Sequence, residues 1–145
     1  KEIYKNFKHI NCIVHTHSKY ATIWAQACKD IPNLGTTHSD YWFGPVPVTK
    51  KLSKKEINDN YEKNIRKNIV NLLKKKFNYG LLIANHGPIT MGSNINEALL
   101  YAERLEYVSE VAYKTLIINK KASISKSLIK KHFLRKHGGK SYYGQ

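Results

Sequence analysis

The sequence predicts an α/β domain, because short apolar runs typical of buried strands alternate with longer segments of helical periodicity. The chain has 145 residues, of which 41% are hydrophobic. A chain of this length buries one hydrophobic core, so we expect a single domain over residues 1–145. The few strands predict only a partial sheet.

Two apolar runs are predicted to be buried strands. Residues 11–14 end at the triplet His15-Thr16-His17, and residues 81–84 lead into the turn sequence Asn85-His86-Gly87-Pro88. Each predicted strand therefore stops at a histidine.

Helical spacing and capping signals predict the remaining elements. Residues 33–49 are too rich in glycine and proline for regular structure and too aromatic for a linker, so we predict a loop that packs over its neighbours. Residues 2–10 are typical of the end of a helix without a start signal, and we expect the chain to begin inside a fold. The predicted helices are residues 19–28, a helix capped by Ser53 that runs to about residue 76, residues 96–118 and residues 123–136.

The net charge of +15, from 25 basic and 10 acidic residues, raises the question of a polyanionic partner. Nearly all basic residues are lysines spread over helix faces, whereas a nucleic-acid groove favours arginine with interleaved aromatics. We therefore predict no specific nucleic-acid partner. A phosphorylated small molecule would benefit from the same positive field.

Other classes of protein are disfavoured by composition. No segment approaches the roughly 18 consecutive apolar residues of a membrane span, and we expect a cytoplasmic protein without a membrane partner. Cys12 and Cys28 are typical of small buried residues in a reducing compartment, so we predict no disulfide.

The histidines at the predicted strand ends suggest a metal site. His15 and His17 are two residues apart, so in a strand their imidazoles point to the same face. Parallel strands of one sheet end at the same edge, which would bring His86 beside them. Three imidazoles with an open position suit Zn²⁺ or a similar divalent ion in a catalytic site. The alternatives are two surface histidines and an ordinary turn histidine.

Spacing alone does not decide the role of Asp40 or of the C-terminal segment. Asp40 in the aromatic loop is a candidate metal ligand, orienting residue or general base, and equally a turn cap. The C-terminal segment crowds histidines, Arg135 and two tyrosines into a few residues. A tyrosine hydroxyl there can transfer protons, although a solvated basic tail is the simpler interpretation.

Several segments, in order along nearly the whole chain, resemble the class II aldolase/epimerase family, and within it the L-ribulose-5-phosphate 4-epimerases. The His-Thr-His and His-Gly-Pro motifs are shared across the family, whereas the loop and the C-terminal end point to the epimerase branch. The segments are Val14-His15-Thr16-His17-Ser18, Ala21-Thr22-Ile23-Trp24-Ala25-Gln26-Ala27, Gly35-Thr36-Thr37-His38-Ser39-Asp40-Tyr41, His86-Gly87-Pro88, Lys131-His132-Phe133-Leu134-Arg135-Lys136-His137-Gly138 and Tyr142-Tyr143-Gly144-Gln145.

The resemblance implies a fold and a set of site residues. The fold is a three-layer α/β domain with a central, mainly antiparallel sheet flanked by helices, and its N-terminal portion, which carries phosphate-binding segments and a further carboxylate, is expected to be missing before Lys1. The implied roles are His15, His17 and His86 as Zn²⁺ ligands, Asp40 and Tyr143 as the proton-transfer pair, and Thr36, Glu62, His132 and Arg135 as substrate-binding residues, with Arg135 near the phosphate.

The resemblance also implies a reaction and an assembly. L-ribulose 5-phosphate and D-xylulose 5-phosphate would be interconverted by retro-aldol cleavage and aldol re-formation of the C3–C4 bond, which inverts C4. The assembly is a homotetramer in which Tyr143 and His132 reach into a neighbouring subunit's site. Two alternatives stay open: a class II sugar-phosphate aldolase, and an inactive, truncated remnant that binds polyanions nonspecifically.

Overall fold

The computed structural model describes residues 1–139 and residue 141, and within them it contains six helices and three strands. None of these helices is long and apolar enough to cross a membrane. The elements are α1 (Glu2–Asn6), β1 (Cys12–His15), α2 (Lys19–Ala27), α3 (Thr36–Ser39), α4 (Lys54–Lys75), β2 (Gly80–Leu82), β3 (Pro88–Gly92), α5 (Ile95–Ile118) and α6 (Lys126–His137).

The sheet is antiparallel, with β3 between β1 and β2. His15 lies opposite Ile89, and Leu82 lies opposite Pro88. Because β1 and β2 both run against β3, they run in the same direction, and their last residues meet at the start of β3. The predicted common edge is therefore present, although the two strands are not neighbours.

β3 is the element that the sequence pattern missed. The predicted turn at Asn85-His86-Gly87-Pro88 is real, but the chain returns from it directly into a strand. Proline lacks a backbone donor and is accepted at the first residue of a strand, which is where Pro88 stands. The Gly-Pro pair thus opens β3 instead of ending regular structure.

Helices cover both faces of the sheet and form three layers. Leu82 packs into a core with residues of α2 and α5, while its neighbour Leu81 packs into a second core with Ile89, Met91 and residues of α1 and α4. Successive strand residues point to opposite faces, which explains why one short apolar run serves two cores. The predicted α/β class and its flanked antiparallel sheet are confirmed.

The helix ends follow the capping signals, with one exception inside a helix. Ser53 and Glu56 form the predicted capping box at the start of α4. Asn60 has φ −145° and ψ 87° within α4, and its side chain accepts a hydrogen bond from the backbone N–H of Lys63. Asparagine competes in this way with helical hydrogen bonding, so α4 is kinked where the periodicity predicted a continuous helix.

The aromatic segment 33–49 packs over the sheet as predicted, but it is not entirely irregular. It contains the short helix α3, and Trp42 is only 2% exposed in the core shared with α2 and α5. His38 is also buried, and its Nε2 donates a hydrogen bond to the carbonyl of Gly44 at 2.9 Å. The segment is thus folded around an imidazole and an indole.

The buried His38 makes stability depend on pH. Burial lowers its pKa from 6.5 to about 4, against the smaller opposing effect of the bond to Gly44. The unfolded chain therefore binds a proton below pH 6.5 that the folded chain excludes, so stability is full above that pH and falls as the pH drops toward 4. We expect a loss of about 3 kcal/mol in the free energy of unfolding across this window.

Urea unfolding at several pH values checks this, with His38→Gln as the matched variant. Glutamine keeps an N–H for the Gly44 carbonyl but does not titrate, so its stability should vary less between pH 6.5 and 4.5 than that of the wild type. Equal pH dependence in the two proteins would contradict the assignment to His38.

Candidate metal centre

Three histidines from two segments of the chain converge at the edge of the sheet where β1 and β2 end. His15 is the last residue of β1, His17 follows it by two residues, and His86 lies in the turn between β2 and β3. The Nε2 atom of His15 is 3.2 Å from that of His17 and 3.3 Å from that of His86. We call this group, whose ligand atoms all lie within 4.8 Å of one another, the histidine triad.

The spacing of these nitrogens fits a divalent metal ion. Nitrogen ligands at 2.0–2.1 Å from a tetrahedral ion are about 3.3 to 3.4 Å apart. Nδ1 of His15 lies 2.8 Å from the carbonyl oxygen of Pro88 and must donate its proton there, since a carbonyl only accepts. The lone pair of a neutral His15 is therefore on Nε2, which faces the other two rings.

His86 is the least exposed member of the triad. Burial lowers its pKa, and the charges of His15 and His17 lower it further. A histidine binds a metal ion only in its neutral form, so this environment favours the ligating state. Its Nδ1 is buried without a hydrogen-bond partner among the described residues.

The triad is positioned by α2, whose first turn depends on a residue far away in sequence. Ser18 is the N-cap but makes no capping bond with its side chain. Instead, the carboxylate of Glu106 on α5 accepts hydrogen bonds from the backbone N–H groups of Tyr20 and Ala21, at 2.8 and 3.0 Å. A carboxylate at a helix N-terminus also interacts favourably with the helix dipole. Glu106 was not predicted, because nothing in its local sequence indicates this contact.

The other end of α2 holds the His86 turn. The backbone N–H of Asn85 donates to the carbonyl of Ala25 at 2.8 Å, and Asn85 has a left-handed φ of 59°, which asparagine tolerates better than most residues. Gly87 passes so close to the first segment that an added Cβ would lie 2.8 Å from the carbonyl oxygen of Thr16 and 3.3 Å from Cδ2 of His17. The triad thus requires a residue without a side chain at position 87.

Gly87→Ala should therefore distort the candidate metal site. A Cβ that close to backbone must displace either the turn or the His-Thr-His segment, so we expect zinc affinity to fall on the order of tenfold or more, as for other losses of supporting structure. Calorimetric zinc titration of the purified chain measures this. Gly139→Ala is the matched control, because nothing lies within 4 Å of its added Cβ. Equal affinity in the two variants would contradict the steric explanation.

Asp40 lies in a second cluster, bound to α6. Its carboxylate accepts hydrogen bonds from Nδ1 of His132 at 3.1 Å and from Nε and Nη2 of Arg135 at 3.3 and 3.1 Å. Nε2 of His137 donates to the backbone carbonyl of Asp40 at 2.9 Å. The structure therefore brings together three of the predicted site residues, Asp40, His132 and Arg135.

The two clusters lie toward opposite ends of the sheet. Asp40 lines a cleft of about 310 Å³ together with Tyr79 and Glu97, both near the Gly92 end of β3, whereas the triad is at the Pro88 end. A five-residue strand such as β3 spans about 13 Å. Within one chain, Asp40 is thus directed at α6 and away from the triad.

The side chains of the other predicted residues do not join either cluster, or lie beyond the described region. Thr36 begins α3, accepts a hydrogen bond from the Asp40 backbone N–H at 2.9 Å, and lines a cavity of about 200 Å³ beside α5. Glu62 is exposed on α4, and its side chain makes no hydrogen bond or ion pair with any part of the chain that the structure describes. Tyr143 lies outside the described residues.

Comparisons with known proteins agree with this fold. A family model described as "Class II Aldolase and Adducin N-terminal domain" matches residues 1–113. The structure is similar to that of an L-fuculose 1-phosphate aldolase, with a TM-score of 0.70 and 20% identity over 90% of this chain and 57% of that one.

Two further solved structures give the same result. YgbL from Klebsiella pneumoniae matches with a TM-score of 0.69 and 23% identity over 89% of this chain and 60% of that one. L-fuculose 1-phosphate aldolase from Glaciozyma antarctica PI12 matches with a TM-score of 0.68 and 17% identity, over 90% of this chain and 46% of that one. The chain thus spans 46% to 60% of the length of these three proteins.

Proposed function

The chain belongs to the class II aldolase and adducin family, and from this premise we propose that it acts as a zinc-dependent L-ribulose-5-phosphate 4-epimerase. The proposed reaction interconverts L-ribulose 5-phosphate and D-xylulose 5-phosphate by cleaving and re-forming the C3–C4 bond. The observation that carries the proposal is the convergence of three imidazole Nε2 atoms at distances that suit one divalent ion.

The triad would hold the metal ion, and the rest of the chain would hold the triad. A bound Zn²⁺ supplies Lewis-acid stabilisation of the negative charge that develops on the sugar oxygens. The Pro88 carbonyl fixes the tautomer of His15, and Glu106 and Asn85 fix the two ends of α2. Partial exposure of His15 and His17 leaves an open side where a chelating sugar phosphate can enter.

The proton-transfer groups would come from another copy of the chain. Asp40 points away from the triad of its own chain, which supports an assembly in which it and His132 serve a site shared between subunits. We propose a homotetramer, with Tyr143 as the second proton-transfer residue and Thr36 and Glu62 as secondary contacts. Because the Arg135 guanidinium already binds Asp40, we assign it to holding that carboxylate instead of the substrate phosphate.

Metal content tests the triad directly. Elemental analysis of the purified chain should find about one zinc ion per chain, and His15→Ala and His86→Ala should each lose most of it, because two imidazoles rarely retain zinc. His9→Ala is the control, since His9 is an exposed histidine that contacts Phe77 and Tyr79 instead of the triad. Stoichiometric zinc in both triad variants would refute the site.

Substrate assays separate the epimerase from its closest competitor. The similarity to L-fuculose 1-phosphate aldolases supports a sugar-phosphate aldolase as the second candidate. We expect epimerisation of L-ribulose 5-phosphate to exceed cleavage of L-fuculose or L-rhamnulose 1-phosphate in kcat/KM. Dominant cleavage would favour the aldolase, and salt-sensitive DNA binding without bound metal would favour the inactive remnant.

A further inference from the structure

We propose that a cleft beside α4 is a second binding site, and that its ligand is a small phosphate monoester that also carries hydroxyl groups. The cleft, which we call the α4 cleft, has a volume of about 510 Å³ and is lined by Lys50, Asn68, Asn71, Leu72, Lys74 and Lys75. Small-molecule sites usually have volumes of about 300 to 1,000 Å³. None of the triad histidines lines the α4 cleft, so the proposal does not depend on the proposed function.

The main feature of the α4 cleft is a buried amide without a partner. Asn68 is only 7% exposed, and its side chain makes no hydrogen bond with the described part of the chain. Its neighbours one turn before and after it, Ile65 and Leu72, pack against the second core, so position 68 lies at the apolar side of α4. A buried amide that lacks a partner costs free energy, whereas an apolar side chain there would not. A ligand that bonds to the amide would remove this cost.

The exposed surface that Asn68 retains faces open space. The residue lines the α4 cleft and also a smaller, neighbouring cleft of about 110 Å³, whose lining includes Ala84 and Asn85. Asn71 and Lys75, three and seven residues after Asn68, lie on the same side of the helix. The amide is therefore placed where a ligand in the α4 cleft can reach it.

The charge of the α4 cleft is positive. Lys74 and Lys75 are exposed in the last turn of α4, and they form no ion pair or hydrogen bond with the described residues. The ammonium of Lys50 already lies 2.7 Å from a carboxylate oxygen of Glu56, so its charge is largely neutralised. The described residues that line the cleft include no acidic side chain. A phosphate monoester, with between about one and two negative charges, would pair with the two free lysines.

The spacing of these groups suits a small molecule better than a nucleic acid. Six residues of helix separate Asn68 from Lys74, a rise of about 9 Å, and side chains tilt toward the helix N-terminus, so both lysines lean toward the amide. A phosphorylated sugar can place its phosphate on the lysines and a hydroxyl group on Asn68. A nucleic-acid duplex would reach the lysines through its backbone, but it is too broad to enter the cleft and bond to the buried amide.

Calorimetric titration of the full chain with ribose 5-phosphate, inorganic phosphate and ribose tests the charged part of the site. Ribose 5-phosphate should bind, inorganic phosphate should bind more weakly, and ribose should not bind. Lys74→Ala/Lys75→Ala should lower the affinity for ribose 5-phosphate on the order of tenfold or more.

Lys54→Ala/Lys55→Ala is the matched control. It removes the same charge from exposed positions of the same helix that do not line the cleft, and it should lower the affinity by less than about threefold. Equal losses in the two double variants would overturn the proposal, because they would show binding to the general positive field. Absent binding of ribose 5-phosphate, or an affinity that neither double variant changes, would overturn it as well.

Asn68→Leu tests the amide. Leucine suits the apolar surroundings but makes no hydrogen bond, so the variant should unfold at a higher urea concentration than the wild type, while its affinity for ribose 5-phosphate falls on the order of tenfold. In nitrogen NMR spectra, the side-chain amide signals that Asn68→Leu removes should shift when ribose 5-phosphate is added to the wild type. An unchanged affinity in the variant, or unshifted amide signals in the wild type, would overturn the proposal.

Discussion

The antiparallel pairing of β3 with both of its neighbours is the constraint on which the histidine site depends. It places the ends of β1 and β2 at the same edge of the sheet, on either side of the start of β3, and brings the Pro88 carbonyl within 2.8 Å of Nδ1 of His15. That one carbonyl belongs to the first residue of β3, so the strand that aligns the histidines also selects the tautomer of one of them. The register of the sheet and the protonation of the His15 ring are thus set by the same strand.

The sequence predicted the elements whose signal is local. The end of a strand at His15, the turn that contains His86, the cap at Ser53 and the packed aromatic loop were all expected, because each depends on a few consecutive residues. β3 was missed since Gly87-Pro88 has the composition of a turn that stops regular structure. The capping contact of Glu106 could not be predicted, because Glu106 lies on α5, 85 residues after Ala21, whose backbone N–H donates to its carboxylate.

The contacts of the candidate site residues were harder to predict than their place along the chain. Asp40 was expected as a proton-transfer carboxylate, and its side chain is bound by His132 and Arg135, which are 92 and 95 residues further along the chain. Local sequence says nothing about such partners. The motif identifies the residue, but only the fold shows which of its atoms are still available.

The unequal anchoring of the two clusters has a consequence for how the protein loses its structure. The triad is attached to the sheet and to α2, which pack in the two cores, whereas α6 lacks any fully buried residue. Segments with little buried apolar surface open at lower free energy than the core. Backbone amides of α6 should therefore exchange with deuterium before those of β1 and β3, so α6 would detach from a chain in which the strands that carry the histidine triad remain folded.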